Sequence, residues 1–179
     1  GPPVILSAAI NPIQHHPDVN FTLCGDESII NPAIQVLSDA ERRRVVVSHC
    51  DQVVDMGEAP TSALRHKKRS SMRKAIELVQ AKEAHACVSA GNTGALLTLS
   101  FYLLKTLSGI DRPALVSMMP TASHHKVLLL DLGANVNCTP DILFQYGVMG
   151  SVLAQQVAGI ASPRVALLNV GEEDIKGNA

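Results

Sequence analysis

Three glycine-bearing turns hold the residues best suited to chemistry: Ser89-Ala90-Gly91-Asn92-Thr93-Gly94, Asp131-Leu132-Gly133-Ala134-Asn135 and Asn169-Val170-Gly171-Glu172-Glu173. Each follows an apolar run that reads as a strand. A phosphate-like anion is costly to strip of water unless several N–H donors and cations converge on it, and backbone N–H groups at helix starts supply such donors. Gly91-Asn92-Thr93-Gly94 adds a hydroxyl and an amide to them. This turn is neither a GxxxxGK[ST] phosphate loop nor a GxGxxG fingerprint, which disfavours triphosphate and simple dinucleotide chemistry. Asp131 can accept N–H groups of a neighbouring turn, or a proton. Asn135 and Asn169, at equivalent strand ends, can orient a carbonyl or phosphate oxygen. Glu172, Glu173 and Asp174 with Lys176 form a charged turn. Without a GxSxG elbow, or a Ser or Cys motif followed by His and acid, catalysis by positioning and electrostatics is expected rather than a covalent nucleophile.

Parallel strands would open all three turns onto one rim of a sheet, where open α/β sheets bind ligands. The elements that must do this can be read in order. Residues 3–10 form a short helix ended by Asn11-Pro12, and Val19, Phe21 and Leu23 alternate as a strand. Asn31 caps a helix with Pro32 at its first position, running to about Arg43. Residues 45–47 form a strand leading to His49, a loop residue that could assist proton handling, and a loop over 51–60 follows. Arg65, Lys67, Lys68, Arg69, Arg73 and Lys74 then merge into an amphipathic helix whose apolar face is Met72, Ala75, Ile76 and Val79. Residues 86–90 read as a strand. Residues 95–107 read as a crossover helix with Leu96, Leu99, Leu103 and Leu107 at helical spacing, and a membrane-lying or partner-facing role is its alternative. Residues 114–118 and 127–130 are neighbouring strands. Thr139 and Pro140 open a helix to about Val157, in which Gly147 and Gly150 imply close backbone packing. Gly159 and Pro163 stop it, and residues 165–169 form the last strand. The alternation predicts an α/β chain with a doubly wound, mostly parallel sheet, as one domain over residues 1–179.

Composition sets limits on partners. The 179 residues are 46% hydrophobic, 17% charged and 3% aromatic, with no Trp and a net charge of −1, so neither nucleic acid nor an anionic membrane is demanded. Cys24, Cys50, Cys87 and Cys138 lie apart without a CxxC pair and read as buried free thiols of a reducing cytosol. His15-His16 and His124-His125 are adjacent pairs without a second ligand cluster and read as loop histidines, so no metal is expected. The chain begins at Gly1-Pro2 and stops soon after a glycine turn, so a longer parent chain is expected.

The segments SHCDQVVDMGEAP, ALRHKKRSSMRKAIELV, ACVSAGNTGALL, GIDRPALVSMMP, LLLDLGANVNCTPDILFQYGVMGSVLA and PRVALLNVGEEDIKGN, in this order, closely resemble the PlsX family, the bacterial phosphate acyltransferases of fatty acid and phospholipid synthesis. The resemblance covers essentially the whole chain. It implies transfer of a long-chain acyl group from acyl carrier protein to inorganic phosphate, giving acyl-phosphate, without metal or redox cofactor. It also implies a three-layer α/β/α fold similar to phosphotransacetylases and isocitrate or isopropylmalate dehydrogenases, and a cytoplasmic homodimer. Peripheral membrane contact and hand-off of product to a membrane glycerol-3-phosphate acyltransferase are implied as well. By motif, Ser89, Gly91, Asn92, Thr93 and Gly94 would form the phosphate and acyl-phosphate site, bordered by Asp131, Gly133, Asn135, Asn169, Gly171, Glu172, Lys176 and Asn178. Of these, Asn92, Asp131, Asn135 and Lys176 would be catalytic. Arg65, Lys67, Lys68 and Arg73 would contact the carrier protein or phosphate, or else form a solvated helix face. The family's MGGDxG start is absent apart from Gly1-Pro2, as is everything past KGN, so the chain reads as an N-terminal portion that is inactive alone. A phosphotransacetylase acting on short acyl-CoA and a non-catalytic module binding acyl-phosphate or carrier protein remain alternatives.

Overall fold

Helices alternate with short strands in the computed structural model, which describes residues 2–122, 126–135 and 137–168 and has an α/β architecture. The chain divides into two compact units, Gly1–Lys105 and Thr106–Ala179. The first contains α1 (Pro2–His15), β1 (Phe21–Gly25), α2 (Glu27–Ala33), a 3₁₀ turn (Ile34–Val36), α3 (Asp39–Arg42), β2 (Val45–His49), α4 (Pro60–His66), α5 (Ser71–Gln80) and α6 (Thr93–Leu104). The second contains β3 (Val116–Pro120), β4 (Lys126–Leu130) and α7 (Pro140–Ala158).

β1 and β2 pair in parallel, Phe21 opposite Val45 and Gly25 opposite His49. Phe21, Leu23, Val45 and Val47 alternate onto one face and pack against Ile13, Ile30, Ile34 and Leu37. Cys24 alternates to the other face, and α5 packs against β1. A second core joins α4, α5 and α6 through Ala63, Met72, Ile76, Ala95, Leu99 and Leu103. Gln80 Nε2 donates to the Leu103 carbonyl at 2.7 Å, tying α5 to the end of α6. As expected, Met72 and Ile76 form the buried stripe of α5, but the helix ends at Gln80 rather than near residue 84.

Several boundaries differ from the sequence reading. α1 does not stop at Asn11-Pro12 but runs on to His15. Pro12 forfeits its own helical hydrogen bond, at a cost of about 3 kcal/mol. Complete burial of Ile13 offsets about 1.5–3 kcal/mol of that. The Arg44 guanidinium then closes the helix end by donating to the carbonyls of Ile13, His16 and Val19. His15 is therefore a helix-terminal residue whose Nδ1 hydrogen-bonds the Asn11 carbonyl at 2.8 Å, not a loop histidine.

The single helix expected from Asn31 is broken into pieces. Asp26 caps α2 by accepting from the Ser28 N–H at 2.9 Å, which leaves Asn31 and Pro32 inside that helix. Ser38 and Glu41 form a reciprocal capping box that opens α3 separately. α6 ends at Leu104, so Leu107 is not on its stripe and is 81% exposed.

Among the described residues, 86–90 and 165–168 pair with no strand. An apolar run becomes a strand only where a neighbour completes the ladder, and Val88 is 97% exposed. β3 and β4 are neighbours as expected, but antiparallel, Val116 opposite Leu130 and Pro120 opposite Lys126. The short connection over 121–125 cannot supply the crossover of a dozen or more residues that a parallel pair needs. α7 follows its local signals closely. Thr139 Oγ1 accepts from the Ile142 N–H, Pro140 takes the first turn, and Gly159 ends the helix in the left-handed conformation. Gly147 and Gly150 are not sites of close backbone approach. A Cβ at either would make ordinary contact, 3.5 Å, with a side chain of Val165 or Leu130.

Candidate anion-binding site

The first glycine turn is organised by Asn92, which is 8% exposed. Its Oδ1 accepts from the Ala95 N–H at 3.0 Å and so caps α6. Its Nδ2 donates to the carbonyls of Asp55, Met56 and Glu58 at 3.1, 3.0 and 2.8 Å. One amide thus ties the 55–58 loop to the start of α6. Gly91 N–H donates to Ser89 Oγ at 3.2 Å, and a Cβ at Gly91 would lie 2.9 Å from the Met72 methyl. A Cβ at Gly94 would lie 3.0 Å from Pro60 Cγ, so both glycines allow the turn to sit close against its neighbours. Thr93 and Gly94 open α6 and are exposed, with the N–H groups that a helix start leaves without an intrahelical acceptor. The turn therefore offers backbone N–H groups and the Thr93 hydroxyl to an anion, while the Asn92 amide is already engaged.

Beyond the carboxyl ends of β1 and β2 lies an open cleft of about 330 Å³ lined by His49, Asp51, Lys68, Arg69, Lys74 and Glu77, with Cys50 at its wall. Gln52 shapes it: its backbone carbonyl accepts from the Ser71 N–H, its Oε1 accepts from the Arg69 N–H at 2.9 Å, and Gln52 bridges to Ser70. That bridge brings the 67–70 turn beside the end of β2. Both acids are occupied, Asp51 by Arg69 at 2.7 Å and Glu77 by the Arg73 Nε at 2.7 Å. His49 is the last residue of β2 rather than a loop residue, and its Nδ1 accepts from the Glu27 N–H at 3.3 Å. Burial, with Cys50 nearby, pushes the Cys24 thiol up to about 11, and burial also raises Cys50 and Cys87. All four cysteines are free. Protonated thiols are poor nucleophiles, so Cys24, Cys50 and Cys87 are structural. Among the described residues no three His, Cys, Asp or Glu side chains gather in a way that could hold a metal ion.

In the second unit, Asp131 organises the second turn. Its Oδ1 accepts from the Leu115 N–H at 2.8 Å, and its Oδ2 from the Asn135 N–H at 2.6 Å and Asn135 Nδ2 at 3.0 Å. Asn135 Nδ2 also donates to the Pro113 carbonyl at 3.0 Å. Tyr146, from α7, donates its hydroxyl to the same carbonyl at 3.4 Å, and burial, with Cys138 and Asp131 adding to it, pushes this phenol up to about 12. Gly133 has φ +92° in open space.

The family model described as "Fatty acid synthesis protein" matches residues 1–179, the whole chain. The chain belongs to the fatty acid synthesis protein family. Curated relatives agree with this membership. A protein of Pseudoalteromonas atlantica named "Phosphate acyltransferase" is 55% identical over 179 residues, covering 100% of this chain and 52% of the relative. Proteins with the same name from Halorhodospira halophila and Ectopseudomonas mendocina are 51% and 52% identical, each covering 99% of this chain and 52% of the relative. The chain spans about half the length of the curated relatives it matches.

Within this member of the fatty acid synthesis protein family, Ser89, Gly91, Asn92, Thr93 and Gly94 share one turn, and Asp131, Gly133 and Asn135 share another. Asn169, Gly171, Glu172, Lys176 and Asn178, like His124 and His125, lie outside the described residues. The four singled-out cations separate by environment. Arg73 is committed to Glu77, and Lys67 lies 3.8 Å from Glu58, whereas Arg65 is exposed at the end of α4 and Lys68 lines the cleft. Sequence reasoning missed the roles of Gln52, Lys74 and Tyr146. Lys74 had a signal, since it falls one turn after Ser70 on the helix that carries the basic cluster. Gln52 had none, because its partners are remote in sequence.

Proposed function

We propose that the chain is part of a phosphate acyltransferase that moves a long-chain acyl group from the thioester of acyl carrier protein to inorganic phosphate. A phosphate oxygen attacks the thioester carbonyl carbon, the tetrahedral oxyanion collapses, and the carrier's sulfur leaves as the thiolate, yielding acyl-phosphate and free carrier protein. The observation that carries this reading is 55% identity, across the whole chain, to a protein named phosphate acyltransferase.

The geometry supports it in kind. Anion binding needs directed N–H groups, and the Thr93 and Gly94 N–H groups at the start of α6 are of that type. Ser89, Gly91, Thr93 and Gly94 hold phosphate in this proposal, and Asn92 acts by fixing the turn. Asp131 and Asn135 set the second turn with Gly133. Asn169, Gly171, Glu172, Lys176 and Asn178 join the site on the strength of their sequence. Fixed donors at the oxyanion accelerate such a reaction because they need no reorganisation as charge develops.

The finer readings belong to the same proposal: residues 1–179 as one domain within a three-layer, doubly wound fold like that of isocitrate dehydrogenase; a cytoplasmic homodimer; peripheral membrane contact; and hand-off to a membrane glycerol-3-phosphate acyltransferase. α1 and α2 on one face of β1–β2, with α5 packed against β1, support the layering. No described helix is long and apolar enough to cross a membrane.

The test is phosphate-dependent release of the carrier thiol from acyl carrier protein by the intact protein. Release with carrier-protein thioesters but not short acyl-CoA supports the reading. Preference for acyl-CoA points instead to phosphotransacetylase chemistry, and no release with either leaves a binding module.

A further inference from the structure

The cleft beyond β1 and β2 has more positive charge than its own acids neutralise. Asp51 is held by Arg69 and Glu77 by Arg73, while Lys68 and Lys74 have no carboxylate partner among the described residues. Lys74 is half-buried and lines the cleft together with Lys68. The Glu27 N–H donates to His49 Nδ1, which leaves Nε2 as the ring nitrogen that can donate further. The position is also where ligands bind in open α/β sheets, beyond the carboxyl ends of parallel strands.

We propose that this cleft is a phosphate-group subsite, separate from the Gly91–Gly94 turn, with Lys68, Lys74 and His49 Nε2 as its donors. Two ammonium groups and an N–H can meet several acceptor oxygens of one phosphate group, the lysines acting as point charges. Arg69, the guanidinium at hand, is already taken by Asp51. The space, about 330 Å³, admits either free phosphate or a phosphate ester carrying a substituent. The choice of phosphate rests on the acyl-transfer reading.

Calorimetric titration of the intact protein at low ionic strength, with inorganic phosphate and separately with phosphopantetheine, tests the subsite. The double variant Lys68→Gln/Lys74→Gln should bind at least one probe about tenfold more weakly, a loss on the scale of one or two charge-assisted hydrogen bonds. Weakening confined to inorganic phosphate assigns the free anion; weakening confined to phosphopantetheine assigns the ester. Lys105→Gln, a charge removed from the end of α6, should leave both affinities unchanged, and Lys68→Arg/Lys74→Arg should restore most of the loss. Equal affinities of wild type and the Gln double variant for both probes, or an equal loss in Lys105→Gln, would overturn the proposal. If the binding pattern holds but the protein releases no carrier thiol, the subsite stands and the acyl-transfer reading falls. Thiol release with unchanged binding does the reverse.

Discussion

Asn92 in the first unit and Asp131 in the second do the same job with different chemistry. Each holds a glycine turn by gathering backbone groups from elsewhere in its unit. Asn92 is neutral and buried, and it acts both ways, accepting one N–H and donating to three carbonyls. Asp131 is anionic and partly exposed, and it only accepts, from Leu115 and from both nitrogens of Asn135. A carboxylate suffices where only N–H groups need a partner. Where a helix start and a run of carbonyls meet, an amide alone can satisfy both, so the Asn92 position tolerates less change.

Breaking this contrast should have its largest effect at Asn92. Asn92→Ala removes a helix cap and strands the loop carbonyls, a loss of about 2–4 kcal/mol in urea denaturation. Asn92→Asp keeps an equally good cap but points a carboxylate at three carbonyls, so it should be at least as damaging as Ala. An Asp variant as stable as wild type would show that the cap alone matters. Asp131→Asn comes next, at about 1–3 kcal/mol, because its new NH₂ must face N–H donors. Glycine substitutions should be smaller and opposite in sign. Gly133→Ala, at φ +92°, should cost about 1 kcal/mol, whereas Gly150→Ala in α7 should gain about 0.5–1 kcal/mol, both read by thermal melting.

The effect of pH is the smallest near neutrality. The Cys24 thiol rises from 9.0 to about 11 and the Tyr146 phenol from 10.0 to about 12. Each raised value means the native state keeps a proton that the unfolded state releases. Their contributions are therefore complete below pH 9 and 10 and are lost as pH climbs through the raised values. Denaturation curves across the alkaline range should show stability falling. Cys24→Ser and Tyr146→Phe should each remove part of that slope.

What could be read from sequence was what local chemistry decides. Thr139, Pro140 and Gly159 delimit α7, and Met72 and Ile76 mark the buried face of α5, because caps and periodicity act over a few residues. Asn31-Pro32 reads as a helix start, but Asp26 opens α2 earlier and the Ser38–Glu41 capping box opens α3 separately. Residues 86–90 could not be judged alone, since a strand depends on its neighbour. The candidate site divides in the same way. The glycine turns stood out by composition, but the engagement of the Asn92 amide by residues 55–58 and the gathering of His49, Lys68 and Lys74 depend on remote contacts.

Arg44 has a consequence for synthesis. Its guanidinium closes the end of α1 and the start of β1, yet it is made 28 positions after His16, one of the residues it grips. On the ribosome α1 must wait, its last carbonyls wet, until β2 emerges. Assembly of this region is thus gated by translation, and a nascent chain arrested before Arg44 should leave the first helix open to protease.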